Sequence, residues 1–388
     1  MEYFSLSQPP VVVFSHLRWE FVTQRPQHLM KRFSKHAQVL FVEESIPSDR
    51  KSPAHIFSPS KNITVMQPIV SSDKYTIQVG KLIRNFMKQN KWDTPRLWFY
   101  SAMFVDMLYQ VPHTQVIYDC MDELSAFLGA PESLVMNERL LLSKADTVFT
   151  GGKSLYESKR RLHDHVHCFP SSVDKHHFEK ALVSKKTSSP KDIERIPGKK
   201  VGFYGVIDER IDLNLLQELA VLNPDISFIM IGPVVKIAVN SLPNQKNIFY
   251  LGGKSYDQLP QYLKEFDIAM MPFALNNSTK FISPTKTLEF MAAKKPIIST
   301  PITDVAKIYP QEVTIAENSL EFSKAIRAYL AESVAAKKTR EHRQTIVIDQ
   351  TSWDATAKEM ESIMTKTELA KAATKSERVE QPVFQYSV

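Results

Sequence analysis

The sequence predicts an α/β protein of two Rossmann-like domains, each a parallel sheet covered by helices. Three observations carry that prediction. Short apolar runs alternate with helix-period stretches through most of the 388 residues, the pattern of βα units rather than of hairpins. A polar, basic, proline-broken stretch, VSKKTSSPKDIERIPGKK at 183–200, interrupts the alternation and reads as a linker. Beyond it the alternation restarts with KVGFYGV. The expected division is 1–180, a linker at 181–199, 200–350, a further helix at 351–370 and a disordered tail at 371–388.

With 43% hydrophobic and 23% charged residues, the composition is that of an ordinary globular chain with room for two domains. A net charge of +7 favours anionic partners such as nucleotides, phospholipid head groups or nucleic acid. Cys120 and Cys168, the two cysteines, fall at strand ends and imply no disulfide framework, which fits a reducing cytoplasm. The N-terminus has no basic n-region, and no apolar run reaches the ~18 residues of a membrane span, so neither a signal peptide nor a transmembrane helix is expected.

In the first half VVVF, QVLFVEE, NITVMQP, RLWFY, QVIYDC and TVFT read as strands. Arg25-Pro26 opens a helix through about Lys35, and helical patterns follow around 75–90, 101–110, 132–144 and 153–162. Ligands of open α/β sheets gather at strand carboxyl ends. That rule singles out Ser15, His16, Arg18 and Trp19 after the first strand, and Asp119 to Asp122 after QVIYDC. A carboxylate there can take the proton of an attacking hydroxyl. Asp119 and Asp122 could equally cap the next helix, and His16 could bond to nearby backbone.

Some apparent motifs fail on inspection. Gly151-Gly-Lys-Ser154 and Gly252-Gly-Lys-Ser255 look like the tail of a P-loop, but the required upstream glycine is Thr147 in one and Ile248 in the other. His163, His165 and His167 alternate as on an edge strand and lack an acidic partner for zinc. No metal site is expected.

In the second half KVGFYGV, SFIMIGP and NIFYLGG read as strands, with helices at about 212–222 and 256–265. Gly205 permits close approach of a ligand to backbone, and Arg210 lies just beyond it. The most informative stretch is 266–300. IAMMPF is a buried strand, ALNNSTKFIS a loop, Ser283-Pro284 a helix cap followed by a first-turn proline, TKTLEFMAAKK a helix and PIIST another buried strand. A helix N-terminus at a strand's carboxyl end attracts phosphate. Lys286 stands in its first turn, and Glu289 shares its face. That pair suits a sugar nucleotide, diphosphate first and ribose hydroxyls next; the alternative is a surface ion pair. Further on, VTIA precedes helical patterns from about 318 to 349, and Ser352 is placed to cap a last helix.

The run Pro284-Thr285-Lys286-Thr-Leu-Glu289-Phe290-Met-Ala-Ala-Lys-Lys295-Pro296-Ile-Ile resembles the donor-binding segment of GT-B glycosyltransferases of the group 1, or family 4, type. Cys168-Phe-Pro170-Ser-Ser-Val173-Asp174-x-x-x-Phe178 resembles the segment that ends the first domain of that family, and Ser352-Trp353 the start of its terminal helix. Gln24-Arg25-Pro26-Gln27-His28 and Tyr118-Asp119-Cys-Met-Asp122-Glu123 are similar to segments of its bacterial cell-surface polysaccharide, teichuronic-acid-like subgroup. Two positions depart from the pattern. Lys295 stands where glycine is usual, and Phe281 where a glutamate normally faces the donor sugar.

The resemblance implies a GT-B fold, two Rossmann-like domains facing across a cleft with a C-terminal crossover helix. Taken with the strand-end reading, it implies donor contacts from Gly205, Arg210, Gly232, Pro233, Lys254, Ser255, Pro284, Thr285, Lys286 and Glu289. Acceptor-side contacts fall to Arg18, Trp19, Arg25 and His28, and catalysis to Asp119, Asp122 and His16. The implied activity moves a sugar from a nucleotide diphosphate sugar to a saccharide or lipid-linked acceptor in cell-surface polysaccharide synthesis, without cofactor, metal or nucleic acid. The alternatives are a nucleotide-sugar epimerase and, because of Phe281, a non-catalytic subunit of a polysaccharide-assembly complex.

Lys81, Arg84, Lys88 and Lys91 fall along one helical side, with Leu82, Ile83, Phe86 and Met87 interleaved. This predicts peripheral contact with anionic lipid on the inner face of the plasma membrane, against a core-packed helix with a solvated basic face.

Overall fold

The structure, a computed structural model, describes residues 8–46, 52–71, 74–183 and 189–379, with side chains to 373. β1 (Val11–Ser15), β2 (Val39–Glu43), β3 (Ala54–Ser60), β4 (Ile63–Pro68), β5 (Arg96–Phe99), β6 (Gln115–Cys120), β7 (Thr147–Thr150) and β8 (Val166–Cys168) form the first sheet. Their order is β3-β4-β2-β1-β5-β6-β7-β8, parallel throughout except β3 against β4. Helices α1 (Arg25–Phe33), α2 (Tyr75–Asn90), α3 (Ser133–Lys144) and α4 (Lys153–Lys159), with a 3-10 run at Ala102–Tyr109, alternate with these strands. The strands are apolar on both faces because both are covered. Val12, Phe14, Leu40 and Leu97 pack on one side, and Val13, Phe41, Trp98 and Phe149 on the other. β3 has no counterpart in the sequence reading; it carries Pro59, which an edge strand tolerates. His167 lies on β8, the opposite edge.

After α5 (Lys175–Glu179) and α6 (Lys191–Glu194) comes the second sheet. β9 (Lys199–Tyr204), β10 (Ile226–Ile231), β11 (Ile248–Tyr250), β12 (Ile268–Met271), β13 (Ile297–Ser299) and β14 (Thr314–Ile315) are ordered β11-β10-β9-β12-β13-β14. All pair in parallel. Helices α7 (Leu213–Leu222), α8 (Leu259–Glu265), α9 (Thr285–Ala292), α10 (Thr303–Ile308), α11 (Ser319–Leu330) and α12 (Val334–Asp349) complete the alternation. Strand order reverses between β9 and β12, and a crevice opens at their carboxyl ends. The second core begins earlier in the chain than its sheet does, because Val173, Phe178 and Ile193 pack into it. The expected linker therefore contains the anchored helix α6; its residues 184–188 lie outside the described residues.

The last helix, α13 (Trp353–Val379), crosses back to the first domain. Trp353, Ala357, Met360 and Met364 pack beside Trp98 in the first core. Gln115 donates to the Met364 carbonyl at 3.0 Å, and Arg96 pairs with Glu368 at 2.6 Å. The helix outruns its expected end at 370. Its later turns lack an apolar stripe but are rich in helix-forming Ala, Lys and Glu, and Lys371 still reaches Asp146 at 2.8 Å. The rest of the expected disordered tail, 380–388, lies outside the described residues.

On α2 the interleaved apolar residues face the core. Ile83 and Met87 are buried, and Leu82 and Phe86 pack against the same first-domain core. The apolar face is thus occupied, while Lys81, Arg84, Lys88 and Lys91 are exposed. Among the described residues no helix is long and apolar enough to cross a membrane.

Candidate active site

Three strand ends build the crevice of the second sheet. β9 runs into Gly205, β10 into Gly232, and β12 leads through loop 272–284 into α9. Gly205 and Gly232 have φ of +150° and +153°. A Cβ on Gly232 would stand 1.7 Å from the Gly205 carbonyl oxygen, so only glycine allows this approach. The cap of α9 is Pro284 rather than the expected Ser283, and no side chain covers its first N–H groups. Ser283 is held elsewhere, its carbonyl accepting from the Ser171 hydroxyl at 3.1 Å.

Two cavities meet here. The larger, about 630 Å³, extends from Lys286, Glu289 and Tyr204 past Pro233 to Ser255 and Tyr256, and loop 19–23 of the first domain forms its opposite wall. The smaller, about 90 Å³, is bounded by Asp122, Arg210, Pro284, Thr285 and Arg25. Gly205 and Lys286 line both.

The charges in these walls are shaped by burial. Burial pushes Asp122 up to about 6, against the pull of Arg210 and Lys286. Burial also lowers the Lys286 ammonium despite nearby Glu289, and raises the Glu289 carboxyl despite Lys286. Neither behaves as half of a surface ion pair. Burial opposes the charge on Arg210, but Asp208 more than compensates and raises its pKa; the Asp208 carboxylate accepts from Arg210 Nε at 2.9 Å and Nη2 at 2.7 Å. Among the described residues, Glu289 Oε2 and the hydroxyls of Tyr204 and Tyr256 are buried without a well-formed hydrogen bond, although Tyr204 and Glu289 lie close enough to shift one another. Each such group costs about 1–3 kcal/mol, so three in one cavity wall mark a place where polar ligand groups complete them.

The first-domain residues are arranged differently. Arg25 Nε donates to both oxygens of Asp119, at 3.0 and 2.9 Å, and Nη1 donates to the Phe169 carbonyl at 2.8 Å. Both side chains are buried. Asp119, expected as an acceptor-side base, lines neither cavity and instead neutralises Arg25. Gln27 Nε2 donates to the carbonyls of Trp19 and Val22, both at 3.0 Å, which fixes loop 19–23. His28, expected on the acceptor side, stacks on Trp353 at 4.9 Å and meets Tyr256 edge-on at 5.4 Å. Burial and the neighbouring charges of Arg32 and Lys31 push it down to about 3. The Gln24 to His28 segment is therefore a knot joining loop, sheet and terminal helix.

Arg18 pairs with Glu43 at 3.2 Å and holds the Ser45 carbonyl, outside both cavities. His16 also lies outside them, where burial and nearby Lys236 push it down to about 4. Trp19 does line the larger cavity, and so do Gly232, Pro233, Lys254 and Ser255. Lys254 is paired with Asp192 at 2.7 Å, and Ser255 shares a capping box with Gln258. The P-loop-like Gly151 to Ser154 stretch makes a domain contact, the Ser154 N–H donating to Asp304 Oδ1 at 3.0 Å. Sequence reasoning missed Tyr204, Tyr256 and Asp208. Tyr204 directly precedes the strand-end Gly205, and that adjacency was the available signal.

Residues 210–362 match a family model described as glycosyl transferase-like. The whole architecture is similar to that of a sucrose-phosphate synthase from Thermosynechococcus elongatus, with a TM-score of 0.71 at 13% identity, covering 94% of this chain and all (100%) of that one. It is also similar to the trehalose-6-phosphate enzyme of E. coli bound with UDP-2-fluoro glucose, with a TM-score of 0.69 at 12% identity, over 93% of this chain and 99% of that one. In sequence the chain is 24% identical over 256 residues to TuaH of Bacillus subtilis (strain 168), named as a teichuronic acid biosynthesis glycosyltransferase. That match spans 61% of this chain and 64% of the relative. The chain shares the GT-B fold of these solved structures, and its second half matches the glycosyl transferase-like model.

Within this GT-B frame the two departing positions have physical explanations. Phe281 turns away from the donor crevice and packs against the first-domain core. Lys295 donates through Nζ to the carbonyls of Lys264 and Phe266, at 2.9 and 2.6 Å. Burial lowers its pKa to about 8. The left-handed residue after α9 is Lys294, with φ of 55°.

Proposed function

We propose that this protein transfers a sugar from a nucleotide diphosphate sugar to a saccharide or lipid-linked acceptor in cell-surface polysaccharide synthesis. One observation carries the reading. Lys286 and Arg210 converge with Asp122 on the small cavity, which opens at Gly205 into a larger one walled by Glu289 and Tyr204. The diphosphate would lie at Lys286, Arg210 and the uncapped start of α9, with its ribose hydroxyls on Glu289. As the glycosidic C–O bond breaks, negative charge grows on the leaving diphosphate, and the two cations stabilise it. The acceptor oxygen forms the new bond, and its proton passes to Asp122, whose affinity near 6 suits a base at neutral pH. The polysaccharide context is supported by the name of the B. subtilis relative.

A second reading, a non-catalytic subunit of an assembly complex, is favoured by Phe281 alone. A thermal-shift panel of UDP-, GDP-, ADP-, CDP- and dTDP-linked sugars tests both. One donor at 100 times its dissociation constant should add about 2.7 kcal/mol of stability, and its nucleoside diphosphate should be released on incubation with a cell-envelope saccharide or lipid-linked acceptor fraction, and only slowly, to water, without one. Binding without release supports the second reading, and stabilisation by none overturns the first.

A further inference from the structure

Asp122 stands on loop 121–130 of the first domain, while the cations it faces belong to the second. That loop is fastened at both ends. Before its midpoint, Glu123 accepts from Lys159 Nζ at 2.8 Å, and Lys159 is in turn held by Glu138 at 2.7 Å, all within the first domain. Beyond its midpoint the fastenings cross the cleft. The Arg210 guanidinium lies 5.4 Å from the Phe127 ring centroid, and the Lys236 ammonium 5.2 Å from it. The Leu128 N–H also points to Glu209 Oε1, at 3.4 Å. Glu209 approaches Lys236 at 3.9 Å; Glu209 and Arg210 lie on the loop that follows β9, and Lys236 on the loop that follows β10.

We propose that Phe127 is a positioning residue, gripped by Arg210 and Lys236, that ties closure of the cleft to the placement of Asp122 and the aim of Arg210. This rests on the reading of Asp122 and Arg210 under the proposed function. An aromatic ring attracts both cations through its face, an attraction that an aliphatic side chain of the same size does not supply. With the ring in place, Arg210 is held from two directions, by Asp208 and by Phe127, and loop 121–130 shields Asp122 from water. With the ring gone, the loop keeps its Glu123 anchor and the long Leu128–Glu209 contact but loses the grip of both cations. Asp122 would then meet solvent and titrate closer to an ordinary aspartate.

The test uses the full-length protein and the nucleotide sugar selected by the thermal-shift panel, with release of nucleoside diphosphate as the readout. Phe127→Ala should lower kcat about 10- to 100-fold, while the dissociation constant of the nucleoside diphosphate rises less than about 3-fold. The acid limb of its kcat/KM profile should move down by about one pH unit. Phe127→Leu should behave like alanine, and Phe127→Tyr should restore both rate and limb. A packing role alone would instead let leucine restore the rate and leave the limb unmoved, and that result overturns the proposal. If Phe127→Ala fails to fold, the contrast of leucine with tyrosine decides. Asp122→Asn separates the two levels. An inactive Asp122→Asn beside unaltered Phe127 variants removes only this inference; an active one removes the Asp122 role and this inference with it.

Discussion

The two walls of the cleft treat buried polar groups in opposite ways. On the first-domain side, Arg25, Asp119 and Gln27 have their hydrogen bonds answered within the protein, and the His28 ring is packed between Trp353 and Tyr256. On the second-domain side, Glu289 Oε2 and the Tyr204 hydroxyl have no well-formed hydrogen bond among the described residues, and the cap position of α9 supplies no side-chain hydrogen bond. A saturated network holds shape, whereas an unsaturated one waits for a ligand. Residue type does not separate the walls, since both are rich in charge, aromatic rings and hydroxyls. Saturation does.

Substitutions on the two walls should therefore fail in different currencies. Asp122→Asn, at the meeting point, should lower turnover about 10²- to 10⁴-fold with donor affinity held within about 3-fold. A loss of affinity as large as the loss of rate would show that Asp122 supports the domain contact instead. Arg25→Ala leaves Asp119 charged, buried and alone, which should cost about 3–5 kcal/mol of stability in a urea titration. Nucleotide affinity of the folded protein should change less than about 3-fold, because the Arg25 guanidinium bordering the small cavity is spent on Asp119 and the Phe169 carbonyl; a stable variant that has lost affinity would show that Arg25 also holds the ligand. Glu289→Gln should give the mirror image, a melting temperature at or above the parent's and donor binding weakened about 10- to 100-fold, the worth of a charge-assisted contact.

Acid should weaken the fold through its buried histidines. His28 is held down at about 3 and His16 at about 4, while an unfolded histidine titrates near 6.5. Between those limits the unfolded chain binds more protons. Stability is thus fully present above about pH 6.5 and falls as pH drops toward 4, by up to about 1.4 kcal/mol per pH unit for each histidine. His28→Phe keeps an aromatic ring on Trp353 and should flatten that slope in melting curves taken from pH 7 to pH 4; an unchanged slope would mean His28 is not among the groups that set it. The smallest effect belongs to α2. With most of its apolar face in the core, α2 offers lipid the exposed Ile77 and Lys81, Arg84, Lys88 and Lys91, each cation worth about 1 kcal/mol near an anionic surface. Flotation with anionic liposomes should be weak and abolished by salt; equal recovery with neutral lipid would remove the membrane proposal.

The legible part of this protein is the part whose meaning is local. Strand, loop and helix at 266–300, with Lys286 and Glu289 one turn apart, can be read from spacing because the residues that define the site lie within a few positions of one another. Arg25 and Asp119 are 94 positions apart, and nothing in either segment shows that they neutralise each other. Trp353 similarly meets His28 only because α13 returns across the whole chain. β3 escaped because its pairing with β4, not its own composition, makes it a strand. The length of α13 escaped because apolar periodicity reports burial, and its last turns are helical without it.

The central claim is that the diphosphate binds where the two cavities join, at Lys286 beside Gly205. Calorimetric titration of the parent and of Lys286→Ala, each with the selected nucleoside diphosphate and with its parent nucleoside, tests this most directly. Lys286→Ala should weaken the diphosphate about 10- to 100-fold and leave the nucleoside, which would lie toward Tyr256 and Ser255, within about 2-fold. Equal diphosphate affinity in parent and variant would contradict it.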